Sequence, residues 1–120
     1  MPLALIVDDN EKNRKLAVSV LSAAGFQTVE AATGAEAVAL AGEHLPDVVL
    51  MDLRLPDMDG TEALRTLRDD VTTARIPVVA MSALSLEGSG DWVEAAGFAG
   101  SLSKPIDVGT FAEQVRRLCG

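Results

Sequence analysis

Short apolar runs alternate with longer amphipathic stretches along this chain. Three runs are almost continuously apolar, which is typical of strands that are buried on both faces of a sheet. They cover residues 3–7, 48–53 and 76–81. Two weaker runs, at residues 27–31 and 98–102, predict two further strands.

The stretches between the strands carry apolar residues at helical spacing. The predicted helices cover residues 11–24, 35–43, 61–68, 85–96 and 107–118. Thr33 and Glu36 form a capping-box pattern before the second helix, and Asp107 is the predicted N-cap of the last. Gly88 and Gly90 lie inside the fourth, where each costs about 1 kcal/mol relative to alanine. We therefore expect the fourth helix to start late or to fray.

Five strands that alternate with five helices predict an α/β fold, in which right-handed crossovers build a parallel sheet between two layers of helices. No linker, repeat or low-complexity segment interrupts the 120 residues, so we expect one domain over residues 1–120. Ligands of such sheets bind at the carboxyl ends of the strands, where the strand order reverses. The residues at those ends are therefore the candidates for function.

Composition and charge narrow the possible partners. Hydrophobic residues make up 48% of the chain and charged residues 23%, which supports a sizeable core rather than disorder. The net charge of -8 argues against nucleic acid or an anionic membrane as a direct partner and favours cations and basic protein surfaces. The N-terminal apolar run is too short for a signal peptide or a membrane span, and the lone Cys119, which we expect to be inert, forms no intrachain disulfide. We expect a cytoplasmic location.

Reactive side chains follow or end four of the predicted strands. Asp8 and Asp9 follow the first, Asp52 lies near the end of the third, Ser82 follows the fourth, and Lys104 follows the fifth. Carboxylates brought together repel one another unless a cation shares them, and oxygen ligands suit magnesium. A lysine and a hydroxyl nearby would complete a site for a dianionic group, with Asp52 as the candidate nucleophile.

Four segments carry a resemblance to a known family over essentially the whole chain. They are VDDNEKN at 7–13, LMDLRLPDMDG at 50–60, IPVVAMSA at 76–83 and SLSKPI at 101–106. With them the chain resembles the receiver domain of two-component response regulators, and especially single-domain cell-cycle regulators and the receivers of hybrid kinases. The resemblance implies a flavodoxin-like, five-stranded parallel sheet of order 2-1-3-4-5, with five helices on both faces.

The resemblance also implies roles for the acidic residues. Asp52 would be the phosphorylated residue. Asp9, Asp52 and the backbone carbonyl of Arg54 would bind Mg²⁺, and Asp8 would act through a metal-bound water. Ser82 and Lys104 would contact the phosphoryl group.

The implied function is phosphoacceptance rather than enzymatic turnover of a separate substrate. The phosphoryl group would come from the phosphohistidine of a histidine kinase or a histidine phosphotransferase, and the domain would catalyse its own phosphorylation and dephosphorylation. It would then signal by docking to a downstream protein, whose identity the sequence does not show, or by onward transfer. The chain is expected to be a stand-alone regulator, with a fragment of a hybrid histidine kinase or of a larger response regulator as the alternative.

The chain departs from the family at the position of its aromatic switch residue, where Ser101 stands. We therefore expect the loop after Ser82 and the following helix to carry the conformational switch alone. Arg54 and Leu84 occupy the two variable positions associated in the family with the lifetime of the phosphorylated state.

Other classes fit the residues less well. An aspartate-nucleophile phosphatase needs a second acid two residues after the nucleophile, where Arg54 stands. A flavodoxin-like cofactor carrier needs a phosphate-binding first loop and stacking aromatics, but aspartates occupy that loop and aromatics are 3% of the chain. A nucleotide-binding module would need a glycine-rich phosphate-binding motif, which this chain lacks. A docking scaffold that is never phosphorylated would not need the acidic cluster.

Several further polar residues are assigned structural roles. His44 is expected at the surface end of the second helix, where the helix dipole favours it. Asp57 and Asp59 are interpreted as turn and cap residues before the third helix, with Gly60 as a turn residue. Arg116 and Arg117 are interpreted as solvated charges on the last helix.

Overall fold

Five parallel strands form one sheet in the order β2-β1-β3-β4-β5. The structure is a computed structural model that describes residues 2–82, 97–103 and 108–119, with the backbone alone at positions 82 and 103. The strands are β1 (Leu3–Val7), β2 (Gln27–Ala31), β3 (Val48–Asp52), β4 (Val78–Ser82) and β5 (Gly100–Ser103). The predicted strand number, strand order and parallel direction are confirmed.

Four helices lie in the described part of the chain. They are α1 (Glu11–Ala23), α2 (Gly34–His44), α3 (Gly60–Asp69) and the C-terminal helix (Phe111–Leu118). The predicted helix at 85–96 lies outside the described residues. None of the described helices is long and apolar enough to cross a membrane.

The core has two halves, one on each face of the sheet. Successive side chains of a β-strand point to opposite faces of the sheet, so β1 and β3 contribute residues to both halves. Leu5, Val49 and Met51 pack with α2 and α3 on one face, whereas Ile6 and Leu50 pack with α1 and the C-terminal helix on the other. All five residues of β3 are buried, so Asp52 ends a strand that is enclosed on both sides.

Three elements begin later than the sequence pattern predicts. β5 starts at Gly100 rather than at Phe98. β4 starts at Val78 rather than at Ile76, since the Ile76 N–H donates to the Thr73 carbonyl and Pro77 has no N–H to donate to a neighbouring strand. The C-terminal helix starts at Phe111 rather than at residue 107, because residues 108–110 form turns. A glycine and two β-branched residues occupy that stretch, and such residues disfavour a helix.

The capping box of α2 is confirmed. The Thr33 hydroxyl accepts a hydrogen bond from the Glu36 N–H at 3.1 Å, and the Glu36 carboxylate accepts one from the Ala32 N–H at 3.2 Å. His44 is the last residue of α2 and is exposed, as predicted. The two bonds fix the start of α2 next to the site described below.

Arg116 of the C-terminal helix contacts the end of α1. Arg116 and Arg117 are both exposed, as expected. Arg117 pairs with Glu113 at 2.8 Å. Arg116 does more than face solvent, since its guanidinium donates to the Ala24 carbonyl at 2.7 Å and lies over the Phe26 ring. Arg116 is therefore an exposed charge that also holds the C-terminal helix against the end of α1.

Candidate functional site

The sheet register brings the predicted site residues to one edge. Val7 of β1 pairs with Met51 of β3, so the aspartates that follow β1 lie beside Asp52. Asp52 in turn pairs with Met81, the residue before Ser82. Ser82 pairs with the last residue of β5. Lys104 and Pro105 follow β5 in sequence and lie outside the described residues.

Three carboxylates form a cluster at this edge. Asp8, Asp9 and Asp52 each offer an oxygen within 4.8 Å of the others. Asp8 and Asp52 are 4% and 9% exposed, whereas Asp9 is exposed. At separations of 4.8 Å or less and an effective dielectric constant of about 20, two such charges repel by at least about 3.5 kcal/mol. The folded chain therefore concentrates negative charge in a site that attracts cations.

Hydrogen bonds from the following loops hold two of these carboxylates in place. Asp8 Oδ1 accepts from the Asn10 N–H at 2.9 Å, and Asp52 Oδ1 accepts from the Arg54 N–H at 3.1 Å. Both bonds reach two residues ahead, which is the geometry of an Asx turn. The carboxylates are thus held by the same turns that lead the chain away from the sheet.

A partly buried arginine supports the loop after β1. Arg14 of α1 donates from Nη1 to the Asp8 carbonyl at 2.8 Å and from Nε to Glu30 of β2 at 2.9 Å. Lys15 contacts the second oxygen of Glu30 at 3.1 Å. Burial alone would raise the pKa of Glu30, but hydrogen bonds from Lys15 and Arg14 together lower it. These contacts of Arg14 were not predicted from the sequence, although Glu30, a charged residue inside the weak strand β2, was an available signal.

The donor set fits a hard cation. Mg²⁺ holds oxygen ligands at about 2.1 Å, so neighbouring ligands of one ion lie about 3 Å apart and opposite ligands about 4.2 Å apart. Carboxylate oxygens that lie within 4.8 Å of one another could share one Mg²⁺ after their side chains move closer together, or through a bridging water. Asp8, Asp9 and Asp52 offer carboxylate oxygens only, and magnesium prefers oxygen. The predicted grouping of these three residues is confirmed.

The loop between β3 and α3, residues 53–59, folds back on itself. Backbone bridging pairs Arg54 with Asp59, and the Leu55 N–H donates to the Met58 carbonyl at 3.2 Å. Asp59 occupies the N-cap position of α3, as predicted, although its side chain makes no capping bond. Gly60, predicted as a turn residue, is instead the first residue of α3.

Asp57 lies in the turn before α3, as interpreted, and its side chain also contacts the start of α2. Its Oδ1 accepts from the Gly34 N–H at 2.8 Å and its Oδ2 from the Ala35 N–H at 3.0 Å, so it caps α2 rather than α3. These two backbone bonds lower the pKa of the Asp57 carboxyl from its ordinary value of 3.8. No local pattern signals a contact between residues so far apart in the sequence, so this additional cap on α2 was not predicted.

Two further predictions concern residues away from the cluster. Ser101 lies on β5 opposite Ala80 and is exposed. Burial raises the pKa of the Cys119 thiol, and the Asp47 carboxylate raises it further. A thiol of this kind is a poor nucleophile at neutral pH, which agrees with the expectation that Cys119 is inert.

Comparison with known proteins identifies the family. Residues 4–116 match the family described as Response regulator receiver domain. The chain belongs to this family. Among its relatives, the polar-differentiation response regulator DivK of Brucella ovis is 39% identical over 116 residues, which are 97% of this chain and 94% of DivK.

Solved receiver structures share the fold along almost the full length. The chemotaxis protein CheY4 of Vibrio cholerae superposes with a TM-score of 0.90 at 28% identity, covering 98% of both chains. The receiver domain of the sensor histidine kinase PA1611 of Pseudomonas aeruginosa, solved with a magnesium ion coordinated in its active site cleft, superposes with a TM-score of 0.87 at 31% identity. This superposition covers 98% of the present chain and 96% of the PA1611 receiver domain.

Proposed function

We propose that this receiver accepts a phosphoryl group on Asp52 from a partner's phosphohistidine. The observation that carries the proposal is the placement of Asp52 at the tip of the fully buried β3, with the oxygens of Asp8 and Asp9 within 4.8 Å. The donor would be a histidine kinase or a histidine phosphotransferase, the two kinds of protein from which receiver domains take phosphoryl groups.

We propose the metal-binding residues that the resemblance to the receiver family implies. Asp9, Asp52 and the backbone carbonyl of Arg54 would bind Mg²⁺ directly, and Asp8 would act through a metal-bound water. The magnesium ion would neutralise charge on the phosphoryl oxygens during transfer. Support comes from the clustered carboxylates and from the magnesium in the PA1611 receiver.

The chain's own residues would orient the reacting carboxylate and balance its charge. The Arg54 N–H holds Asp52 Oδ1 and so fixes the plane of the carboxylate. A bond forms between an Asp52 oxygen and phosphorus while the histidine nitrogen–phosphorus bond breaks, and the imidazole keeps the electron pair. Lys104 and the Ser82 hydroxyl would stabilise the charge on the transferring oxygens, and water would later hydrolyse the acyl phosphate.

The output is proposed to be protein docking or onward transfer of the phosphoryl group. We propose that residues 1–120 form one receiver domain that works as a stand-alone regulator in the cytoplasm. The match covers 94% of the length of DivK, which supports the proposal that residues 1–120 form one receiver domain. The free Cys119 is compatible with a reducing compartment. Because Ser101 replaces the aromatic residue of the family, the loop and helix after Ser82 would carry the switch.

Intact-mass spectrometry tests the phosphoacceptor assignment. The protein is incubated with acetyl phosphate, with either Mg²⁺ or EDTA, and wild type is compared with Asp52→Asn. Asp59→Asn makes the same chemical change at the other end of the 53–59 loop and serves as the matched control. We expect a phosphoryl adduct in wild type and Asp59→Asn with Mg²⁺, and none in Asp52→Asn. An equal adduct in Asp52→Asn, or no adduct in wild type that binds Mg²⁺, would contradict the proposal.

A further inference from the structure

The loop that carries Arg54 is attached to the first turn of α2. Gly34 and Ala35, the first two residues of α2, have backbone N–H groups that the helix itself cannot satisfy. The carboxylate of Asp57 accepts from both, at 2.8 and 3.0 Å. A carboxylate at this end of a helix is also favoured by the helix dipole.

A second loop residue packs against the same turn. A Cβ atom added to Gly34 would lie 2.4 Å from Cγ and 2.6 Å from Sδ of Met58, so Met58 occupies the space that a side chain at position 34 would take. Asp57 and Met58 together attach the loop to α2 through one polar and one apolar contact. Thr33 caps the same helix independently, through its bond to the Glu36 N–H.

The attached part of the loop is linked to the carboxylate cluster by a short chain of bonds. The Met58 carbonyl accepts from the Leu55 N–H, and Asp59 bridges to Arg54. The Arg54 N–H in turn holds Asp52 Oδ1. Any shift of residues 57 and 58 would therefore be passed to Arg54 and to the carboxylate that it orients.

We propose that Asp57 is a positioning residue for the metal site, because its attachment to α2 holds the 53–59 loop with the Arg54 carbonyl and the Asp52 carboxylate preset for Mg²⁺. Asp57 itself does not touch the metal. The inference rests on the proposed function, in which the Arg54 carbonyl is a metal ligand. Groups that orient metal ligands without binding the metal affect affinity by about 10- to 100-fold when they are removed.

Calorimetric titrations with Mg²⁺ test this role. Each titration is run at a temperature well below the unfolding temperature of the variant. We expect Asp57→Ala to weaken Mg²⁺ binding by about 10-fold. Asp57→Asn should show a smaller loss, since asparagine keeps one of the two oxygens that accept from Gly34 and Ala35 and replaces the other with an NH2 group. Asp57→Ala that binds Mg²⁺ as tightly as wild type would overturn the proposal.

Two control variants separate positioning from general effects. Thr33→Ala removes a cap from the same helix without touching the loop, and Asp59→Asn removes the same charge from the same loop without breaking a side-chain cap. Both should bind Mg²⁺ within about 2-fold of wild type, since neither changes the attachment. A loss in Thr33→Ala equal to that in Asp57→Ala would show a stability effect, and an equal loss in Asp59→Asn would show a charge effect. Either result would overturn the proposal.

Hydrogen exchange provides a second readout that does not depend on phosphorylation. Coupling is reciprocal, so if the attachment strengthens Mg²⁺ binding, then Mg²⁺ must strengthen the attachment by the same factor. Mg²⁺ should therefore slow exchange of the Gly34 and Ala35 amides, by up to about 10-fold, in wild type but not in Asp57→Ala. Wild type that binds Mg²⁺ without this slowing would refute the coupling. Wild type that does not bind Mg²⁺ at all would instead refute the metal site of the proposed function, and the inference with it.

Discussion

The start of α3 lies so close to the end of β3 that a side chain at Gly60 would meet backbone atoms. A Cβ added at Gly60 would lie 2.6 Å from the Asp52 carbonyl oxygen and 3.0 Å from the Leu53 Cα, where ordinary contacts begin at 3.4 Å. Both neighbours are backbone atoms, so neither can rotate away as a side chain would. Gly60→Ala must therefore displace the start of α3 or the end of β3.

The size of the effect follows from two opposing terms. Overpacking of this kind costs about 1–3 kcal/mol, whereas alanine gains up to about 1 kcal/mol over glycine in a helix. We expect Gly60→Ala to lower the free energy of unfolding by about 1–2 kcal/mol. For a chain of this length, that loss corresponds to a fall in the melting temperature of about 4–8 °C.

Gly42 provides the matched control. It lies on the exposed side of α2, and a Cβ added there meets no atom within 4 Å. Gly42→Ala should therefore raise the free energy of unfolding by up to about 1 kcal/mol. Urea denaturation at neutral pH, followed by circular dichroism, measures both variants. The reasoning fails if Gly60→Ala is as stable as wild type, or if the two substitutions change stability in the same direction.

Two further predictions concern buried and charged groups elsewhere. The buried Thr73 hydroxyl donates to the Leu67 carbonyl at 2.6 Å, so Thr73→Val should lower the free energy of unfolding by about 1–3 kcal/mol, whereas Thr66→Val, at an exposed helix position, should change it little. Urea melts of the two would contradict this if their losses were equal. Because the folded-state pKa of Asp57 lies below 3.8, the unfolded chain takes up its proton first as the pH falls. The contribution of Asp57 to stability is therefore complete above that value and is lost as the pH falls through the folded-state pKa. Acid melts of Asp57→Asn should show a weaker pH dependence below pH 4 than wild type, and identical curves would exclude the effect.

The sheet was predictable because its central strands are recognisable from short local stretches of sequence. β1 is a continuous apolar run, and β3 is apolar up to Asp52 at its end, because a strand that is buried on both faces has no polar face to interrupt the run. Element ends were less predictable. β4 starts after Pro77 because of a hydrogen bond between Ile76 and Thr73, and the composition of the run does not show that bond.

The carboxylate cluster was predictable for a topological reason. Parallel strands bring their carboxyl ends to one edge, so aspartates at the ends of β1 and β3 had to meet once those strands were neighbours. The supports of the cluster were not predictable. Arg14 reaches Glu30 and Asp57 reaches Gly34 across sequence separations of 16 and 23 residues, and such contacts depend on how helices dock on the sheet.

The position of the phosphoryl group tests the central claim most directly. Borohydride reduction of the phosphorylated protein converts an aspartyl phosphate into homoserine, and peptide mass mapping then locates the converted residue. The account predicts homoserine at position 52 after treatment with acetyl phosphate and Mg²⁺, and a sharp loss of conversion when EDTA replaces Mg²⁺. Homoserine at position 8 or 9, or conversion at position 52 that is indifferent to Mg²⁺, would contradict it.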